Sequence, residues 1–391
     1  MALSRVLHWG PMAALVIIFW VSLATVACNS MYWPSHSSWG GLVNLTAFLM
    51  ISSSTLYHFM SALLVGPGHV PKGWEPQEES DKEMLQFCHT CVAYKAPRSH
   101  HCRKCGKCIQ KMDHHCPWIN NCVGHQNHGF FVGFLLSAVL GCAHASWILS
   151  MSIYYGLHRS WFAHHGLGHE PKVVLTLFTL IVFIFALGMA IGVVLAVGAL
   201  LFFQIRSIVR NQTGIEDWIM EKAAYRLRGT SKTLLNPYDL GLSNNFGLVL
   251  NLSCRPKCDG IDWPLRDGAH KFDLTHEQIL QKRDKRLRTR EYRIRLSYSG
   301  SWCPFWSMGF RVACQPPCAD EPRIPLDIGD VVFVTRWKKH WLYGDKAQQS
   351  LTTNVRIRGW FPRKCAIEVV DGRHAEDDFS SHDKPTKKKQ R

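Results

Sequence analysis

The chain has 391 residues, 47% of them hydrophobic, with a formal net charge of +16 and a mean hydropathy of -0.06. That balance suits alternating apolar and charged blocks, a membrane protein that also has soluble parts. Seven of its cysteines fall between 88 and 122, a concentration that argues against a secreted disulfide framework and for reduced thiols facing the cytosol.

The first predicted elements are two apolar helices, at about 11–31 and 41–65, each long enough to cross about 30 Å of hydrocarbon. The first run is longer than a signal-peptide core, which favours a retained span over a cleaved leader. The second carries Asn44, Ser52, Ser53, Ser54, Thr55 and His58. Such polar groups are costly in lipid and face neighbouring helices or a cavity.

The next segment reads Cys88-x2-Cys91-x9-His101-Cys102-x2-Cys105-x2-Cys108-x4-Asp113-His114-His115-Cys116-x5-Cys122. A structural zinc ion takes four Cys or His ligands, and a C-x2-C knuckle supplies two from one turn. Two ions would use Cys88, Cys91, His101, Cys102, Cys105, Cys108, His115 and Cys122. Asp113, His114 and Cys116 are then left over, an acid, a base and a thiol. A nucleophilic cysteine needs an imidazole to take its proton and a carboxylate to fix the tautomer. The plainer alternative is a double zinc knuckle that only binds partners, and it gives this trio no role.

Carried through Asn127 and Phe131, the same string resembles the DHHC family of membrane protein S-acyltransferases. The resemblance implies that Cys116 accepts a fatty acyl group from acyl-CoA, expected to be palmitoyl-CoA, and passes it to a cysteine of a membrane-associated protein. In that reading His114 is the general base and Asp113 its orienting partner. The family's interleaved sites would give one zinc Cys88, Cys91, His101 and Cys108, and the other Cys102, Cys105, His115 and Cys122. The spacing itself leaves that division open. Arg98, Arg103, Lys104 and Lys107 stand near enough in sequence to meet the phosphates of CoA. A non-catalytic membrane scaffold is the competing function.

Third and fourth apolar helices follow at about 130–155 and 173–205, the latter without a charge from Val173 to Phe203. Ser137, Ala138 and Gly141 share one face of the third, and the resemblance implies that Gly141 lines the tip of the acyl cavity. Lys and Arg are concentrated in the 66–129 loop and after the fourth helix, which predicts two short lumenal loops and both termini in the cytosol. On that topology the sequons at Asn44, Asn211 and Asn251 go unused.

Beyond the helices, Thr213-Gly-Ile-Glu216 stands where the family has Thr-Thr-x-Glu, with Gly214 replacing the second Thr. Asn236-Pro-Tyr238-Asp-x-Gly241-x2-Asn244 matches a family segment that packs back onto the helices. A helix opened by Thr275-x-x-Gln278 carries Lys282, Arg283, Lys285, Arg286, Arg288 and Arg290, a pattern that reads first as a solvated basic face, next as one drawn to anionic lipid headgroups, and last as a nucleic-acid surface. Short alternating strands from about 309 to 370 resemble an SH3-like domain. Cys314, Cys318, His340 and Cys365 stand where its peptide-gripping aromatics belong, so conventional polyproline binding is not expected. A regulatory or substrate-recruiting partner is expected there instead, and Cys314, Cys318 and Cys365 are candidates for acylation. The final Lys388-Lys389-Gln390-Arg391 resembles a dilysine retrieval signal of the endoplasmic reticulum.

The expected fold is a polytopic α-helical membrane protein of four transmembrane helices, with a cytosolic two-zinc cysteine-rich domain and a small C-terminal all-β SH3-like barrel. The expected domains are 1–65 (helices one and two), 66–129 (cysteine-rich), 130–205 (helices three and four), 206–308 (cytosolic segment), 309–371 (SH3-like) and 372–391 (tail).

Overall fold

The computed structural model describes residues 2–251, 253–319, 321–347 and 357–369. The tail with Lys388 and Lys389 lies outside the described residues. Contacts divide the chain into two units, 1–279 and 280–391.

Composition alone dictates the first unit's scaffold. Trp9–Tyr32 (α1), Trp39–Leu64 (α2), His128–Leu157 (α3) and Leu177–Val209 (α4) are, among the described residues, the four helices long and apolar enough to cross a membrane. Each lies within a few residues of its predicted span. The protein is thus a polytopic helical membrane protein. α3 packs against each of the other three, and buried Ala145, Ala186 and Ala190 allow close approach. Two polar residues of α2, Asn44 and Ser52, find partners on neighbouring helices, while Thr55 and His58 bond to carbonyls of their own helix. Asn44 Nδ2 donates to Asn29 Oδ1 at 2.6 Å, its Oδ1 lies 2.9 Å from His144 Nε2, and Ser52 meets Ser22 at 2.7 Å.

Between α2 and α3 lie three two-stranded hairpins: Phe87–Cys88 (β1) with Ala93–Tyr94 (β2), His100–Cys102 (β3) with Lys107–Ile109 (β4), and His114–Cys116 (β5) with Asn121–Val123 (β6). Two buried asparagines fasten this module to the end of α2. Asn121 Nδ2 reaches the carbonyls of Ala62, Leu63 and Val65 at 3.4, 3.2 and 3.0 Å. Asn127 Nδ2 donates to Ala62 O and Cys122 O. α1 approaches from the other side so closely that a Cβ on Gly10 would fall 2.0 Å from Pro117 O.

After α4, Gly214–Arg226 (α5) opens with Thr213 and Glu216 in a reciprocal capping box. Tyr238, 1% exposed, packs with Ile219 and Leu274. The predicted basic helix is Asp273–Leu287 (α6), beginning two residues ahead of Thr275, where the Asp273 carboxylate accepts from His270 N at 2.9 Å. It ends before Arg288 and Arg290.

The second unit holds a five-stranded antiparallel sheet of Arg290–Ile294 (β7), Val331–Trp337 (β8), Trp341–Lys346 (β9), Arg358–Pro362 (β10) and Ala366–Glu368 (β11), in the order β10-β9-β8-β7-β11. β7 comes from the segment expected to end at 308. Its inward Tyr292 and Ile294 sit among Arg and Glu, so the alternation is short and was hidden by the basic run. Trp341, Phe361 and Cys365 lie fully buried in this core. Burial of Cys365 removes it as an acylation candidate in the folded state, whereas Cys303, Cys314 and Cys318 are exposed.

Candidate active site and metal centres

Alternation along a strand sorts the three central residues of the motif. In β5 the side chains of His114 and Cys116 point to one face and that of His115 to the other. His115 stands opposite Cys122 on β6 in the same way that His101 stands opposite Cys108 in the β3–β4 hairpin. Each cross-strand pair is completed by a knuckle from a neighbouring turn.

Two clusters result, Cys88–Cys91–His101–Cys108 and Cys102–Cys105–His115–Cys122, the donor atoms of each within 4.8 Å of one another. His101 Nδ1 is 3.5, 3.3 and 3.9 Å from the sulfurs of Cys88, Cys91 and Cys108. His115 Nδ1 is 3.7, 3.4 and 3.6 Å from those of Cys102, Cys105 and Cys122. A tetrahedral ion with the usual Zn–S and Zn–N bond lengths sets nitrogen and sulfur about 3.6 Å apart. The donor sets therefore fit zinc, in the division that the family resemblance implied.

The residues outside the clusters converge on a different point. His114 Nδ1 lies 2.7 Å from Asp113 Oδ2. Asp113 also accepts from the Gly214 backbone N–H at 2.9 Å and from Gln204 Nε2 at 2.9 Å. Gln204 is buried, and its Oε1 lies 2.9 Å from His128 Nε2. Burial opposes ionisation of Asp113, but the bond and charge of His114 and the Gly214 N–H outweigh it and hold the carboxyl well below the usual range. Burial likewise lowers His114, yet the hydrogen bond to Asp113 and the nearby Cys116 lift it to about 9. The result is a strong proton acceptor next to a 95% shielded thiol, since Cys116 is 5% exposed.

Cys116 forms part of the wall of an apolar cavity of about 400 Å³ that runs between the helices past Phe131, Leu135, Ala138 and Gly141. Gly141 is 13 residues into α3, which places it about 20 Å along the helix. A Cβ there would sit 3.2 Å from Ile51.

Two residues depart from what the sequence suggested. Arg98 does not face solvent. Its side chain makes two bonds to the Glu216 carboxylate, at 2.7 and 2.8 Å, and two to Asn211, with its guanidinium 4.2 Å from the Tyr238 ring centroid. A buried guanidinium with four of its five N–H groups engaged is out of reach of a phosphate, while Arg103, Lys104 and Lys107 remain exposed. Gly214 keeps its contact with Asp113 without the expected Thr hydroxyl, because the backbone N–H at the start of α5 supplies the bond. Gln204 and His128 escaped sequence reasoning altogether, because nothing in their helices sets them apart from the other scattered polar residues there.

Gln204→Leu should slow acylation of Cys116 about tenfold, as expected for losing a buried bond to a charged acceptor. In an Asp113→Asn background it should have little further effect. Additive losses in single-turnover rates would mean that Gln204 does not act through Asp113.

A family profile described as DHHC palmitoyltransferase matches residues 81–221. Palmitoyltransferase ZDHHC6 of Homo sapiens is 45% identical over 379 residues, covering 93% of this chain and 91% of that protein. Palmitoyltransferase ZDHHC6 of Mus musculus is 44% identical over the same length, with the same coverage. Palmitoyltransferase ZDHHC16 of Mus musculus is 32% identical over 207 residues, 50% of this chain and 53% of that protein.

Proposed function

The chain belongs to the DHHC palmitoyltransferase family and is a protein S-palmitoyltransferase; we propose that it works in two steps through a thioester on Cys116. The observation that carries this reading is the isolation of one thiol. Cys116 lies outside both metal-binding clusters, shares a strand face with His114 two residues away and meets the acyl-sized cavity.

In the first step His114 takes the Cys116 proton, and the sulfur attacks the thioester carbonyl of palmitoyl-CoA. The CoA thiolate leaves with that proton. Asp113 fixes the His114 tautomer and stabilises the imidazolium. In the second step a thiol of a membrane-associated protein gives its proton to His114 and takes the acyl group. The chain of the donor occupies the cavity, where burial contributes about 0.8 kcal/mol per methylene. Exposed Arg103, Lys104 and Lys107 meet the CoA phosphates. Two zinc ions, bound by the two clusters, would keep β3 to β6 rigid; their role is structural.

A pulse–chase experiment tests the mechanism. Purified protein is charged with labelled palmitoyl-CoA, freed of donor and offered a cysteine peptide. Label held by a bond that neutral hydroxylamine cleaves, and then passed to peptide without CoA, is the expected result. Transfer only while CoA is present would refute the two-step order.

Gly141→Tyr fills the deep end of the cavity and should shift donor preference from sixteen carbons to shorter chains. An unchanged chain-length profile would remove Gly141 from the cavity tip. Chelation of zinc should release two ions per chain and abolish acyl-enzyme formation, because the hairpins have little apolar core to hold them otherwise. Retained activity after complete release would contradict the structural role.

We also place both termini and the cysteine-rich module in the cytosol, supported by the Lys and Arg distribution. Residence in the endoplasmic reticulum is supported by the terminal lysine pair. The C-terminal sheet is proposed to bind a regulatory or substrate partner, supported by the highly exposed Trp302 and Trp306 beside it. The domain limits stand as proposed above, except that the sheet starts at Arg290.

A further inference from the structure

We infer that the acceptor cysteine arrives through a second cavity, which meets His114 from α4 and remains open while the acyl chain fills the first. The inference rests on the two-step reading and adds the route of its second substrate. The cavity measures about 290 Å³, and its lining includes Asp113, His114 and Leu200. Cys116 lines the first cavity and not this one; His114 lines this one and not the first; Leu200 is the residue common to both.

That division answers a steric requirement of the second step. Once Cys116 is acylated, the first cavity holds the chain, so the incoming thiol cannot pass through it. The thiol must still reach both the base and the thioester carbonyl. The second cavity delivers it to the base, next to the strand that carries the thioester. The acceptor S–H proton passes to His114, and its sulfur forms a new bond to the acyl carbon. The bond from that carbon to the Cys116 sulfur breaks, and Cys116 recovers the proton from His114. No oxidant or reductant is involved.

The walls define the acceptor's class. On the membrane side stand Leu200 and the exposed Phe203, both from α4. On the water side stand exposed Arg210 and Asp217, 3.9 Å apart. A free metabolite thiol has no use for the apolar half, and a fully buried transmembrane cysteine has none for the charged half. A protein cysteine at the border of a membrane segment, with an apolar neighbour on one side and solvated backbone on the other, fits both.

Arg210→Trp and Asp217→Trp each narrow the mouth at an exposed position, in the full-length enzyme reconstituted in nanodiscs. Three single-turnover rates are measured: acyl-enzyme formation from palmitoyl-CoA, discharge to a membrane-anchored cysteine peptide, and discharge to free cysteine. Obstruction of a positioned substrate should cut peptide discharge at least about tenfold, while formation and discharge to free cysteine stay within about twofold. Unchanged peptide discharge in both variants would overturn the inference. So would a parallel fall in acyl-enzyme formation, which would assign the cavity to CoA phosphates on Arg210. A wild type that forms no acyl-enzyme would instead remove the two-step reading beneath it.

Discussion

Cys116→Ser should leave both metal clusters intact and eliminate acyl-enzyme formation from labelled palmitoyl-CoA. The hydroxyl is a far weaker nucleophile than a thiolate at neutral pH, and His114 cannot offset that difference. Asp113→Asn should retain the thiol but lose about 10²–10⁴ in rate, because an amide in place of the carboxylate stabilises the wrong imidazole tautomer and no longer balances the imidazolium. Asp113 also joins His114 to Gln204 and the start of α5, so its replacement loosens three elements together. Labelling of Cys116→Ser at the wild-type level would move the chemistry to another cysteine, with Cys254 and Cys258 the first to examine by peptide mapping. Zinc content measured on the same samples separates lost chemistry from lost folding.

Arg98→Met should destabilise the first unit by about 3–5 kcal/mol, the usual result of leaving a buried charge unpaired. The orphan would be Glu216, whose side chain in the pair is 2% exposed. In a thermal melt this corresponds to a drop on the order of 10 °C. Arg98→Lys should be rescued only in part, since a point charge cannot reproduce the two parallel bonds to one carboxylate. The double variant Arg98→Met, Glu216→Gln should recover much of the loss, because no bare charge remains. Acylation should fall in the single variant as well. Glu216 caps α5 through Thr213 N, and the next residue, Gly214, holds Asp113. A single variant that melts with the wild type would show that the pair is dispensable.

The legible parts of this molecule were those written in consecutive residues. Helix spans follow from uninterrupted apolar runs, and the eight metal ligands from local spacing within 35 residues. Asp113, His114 and Cys116 emerged because they were what the ligand count left unused. Contacts across long loops were not legible. Gln204 lies 91 residues from Asp113, and nothing in α4 marks it apart from polarity. Arg98 looked like one more surface cation because sequence shows charge but not burial, and its partner stands 118 residues away. Gly214 registered only as a departure from the family motif, because side chains are visible in a sequence and backbone N–H groups are not. The first strand of the C-terminal sheet was missed where arginines interrupt a pattern only five residues long.

Asn121 and Asn127 have a consequence for which proteins this enzyme can modify. By capping the last carbonyls of α2, they hold the β5–β6 hairpin against the end of that helix to within a hydrogen bond's tolerance. A transferase fixed in this way works as a height gauge. The expected result is that acceptor choice depends on where a cysteine stands relative to the bilayer more than on the residues around it. Substituting both asparagines with alanine would then blur selection by depth before it slowed the chemistry, admitting cysteines farther along a tail and favouring the nearest ones less.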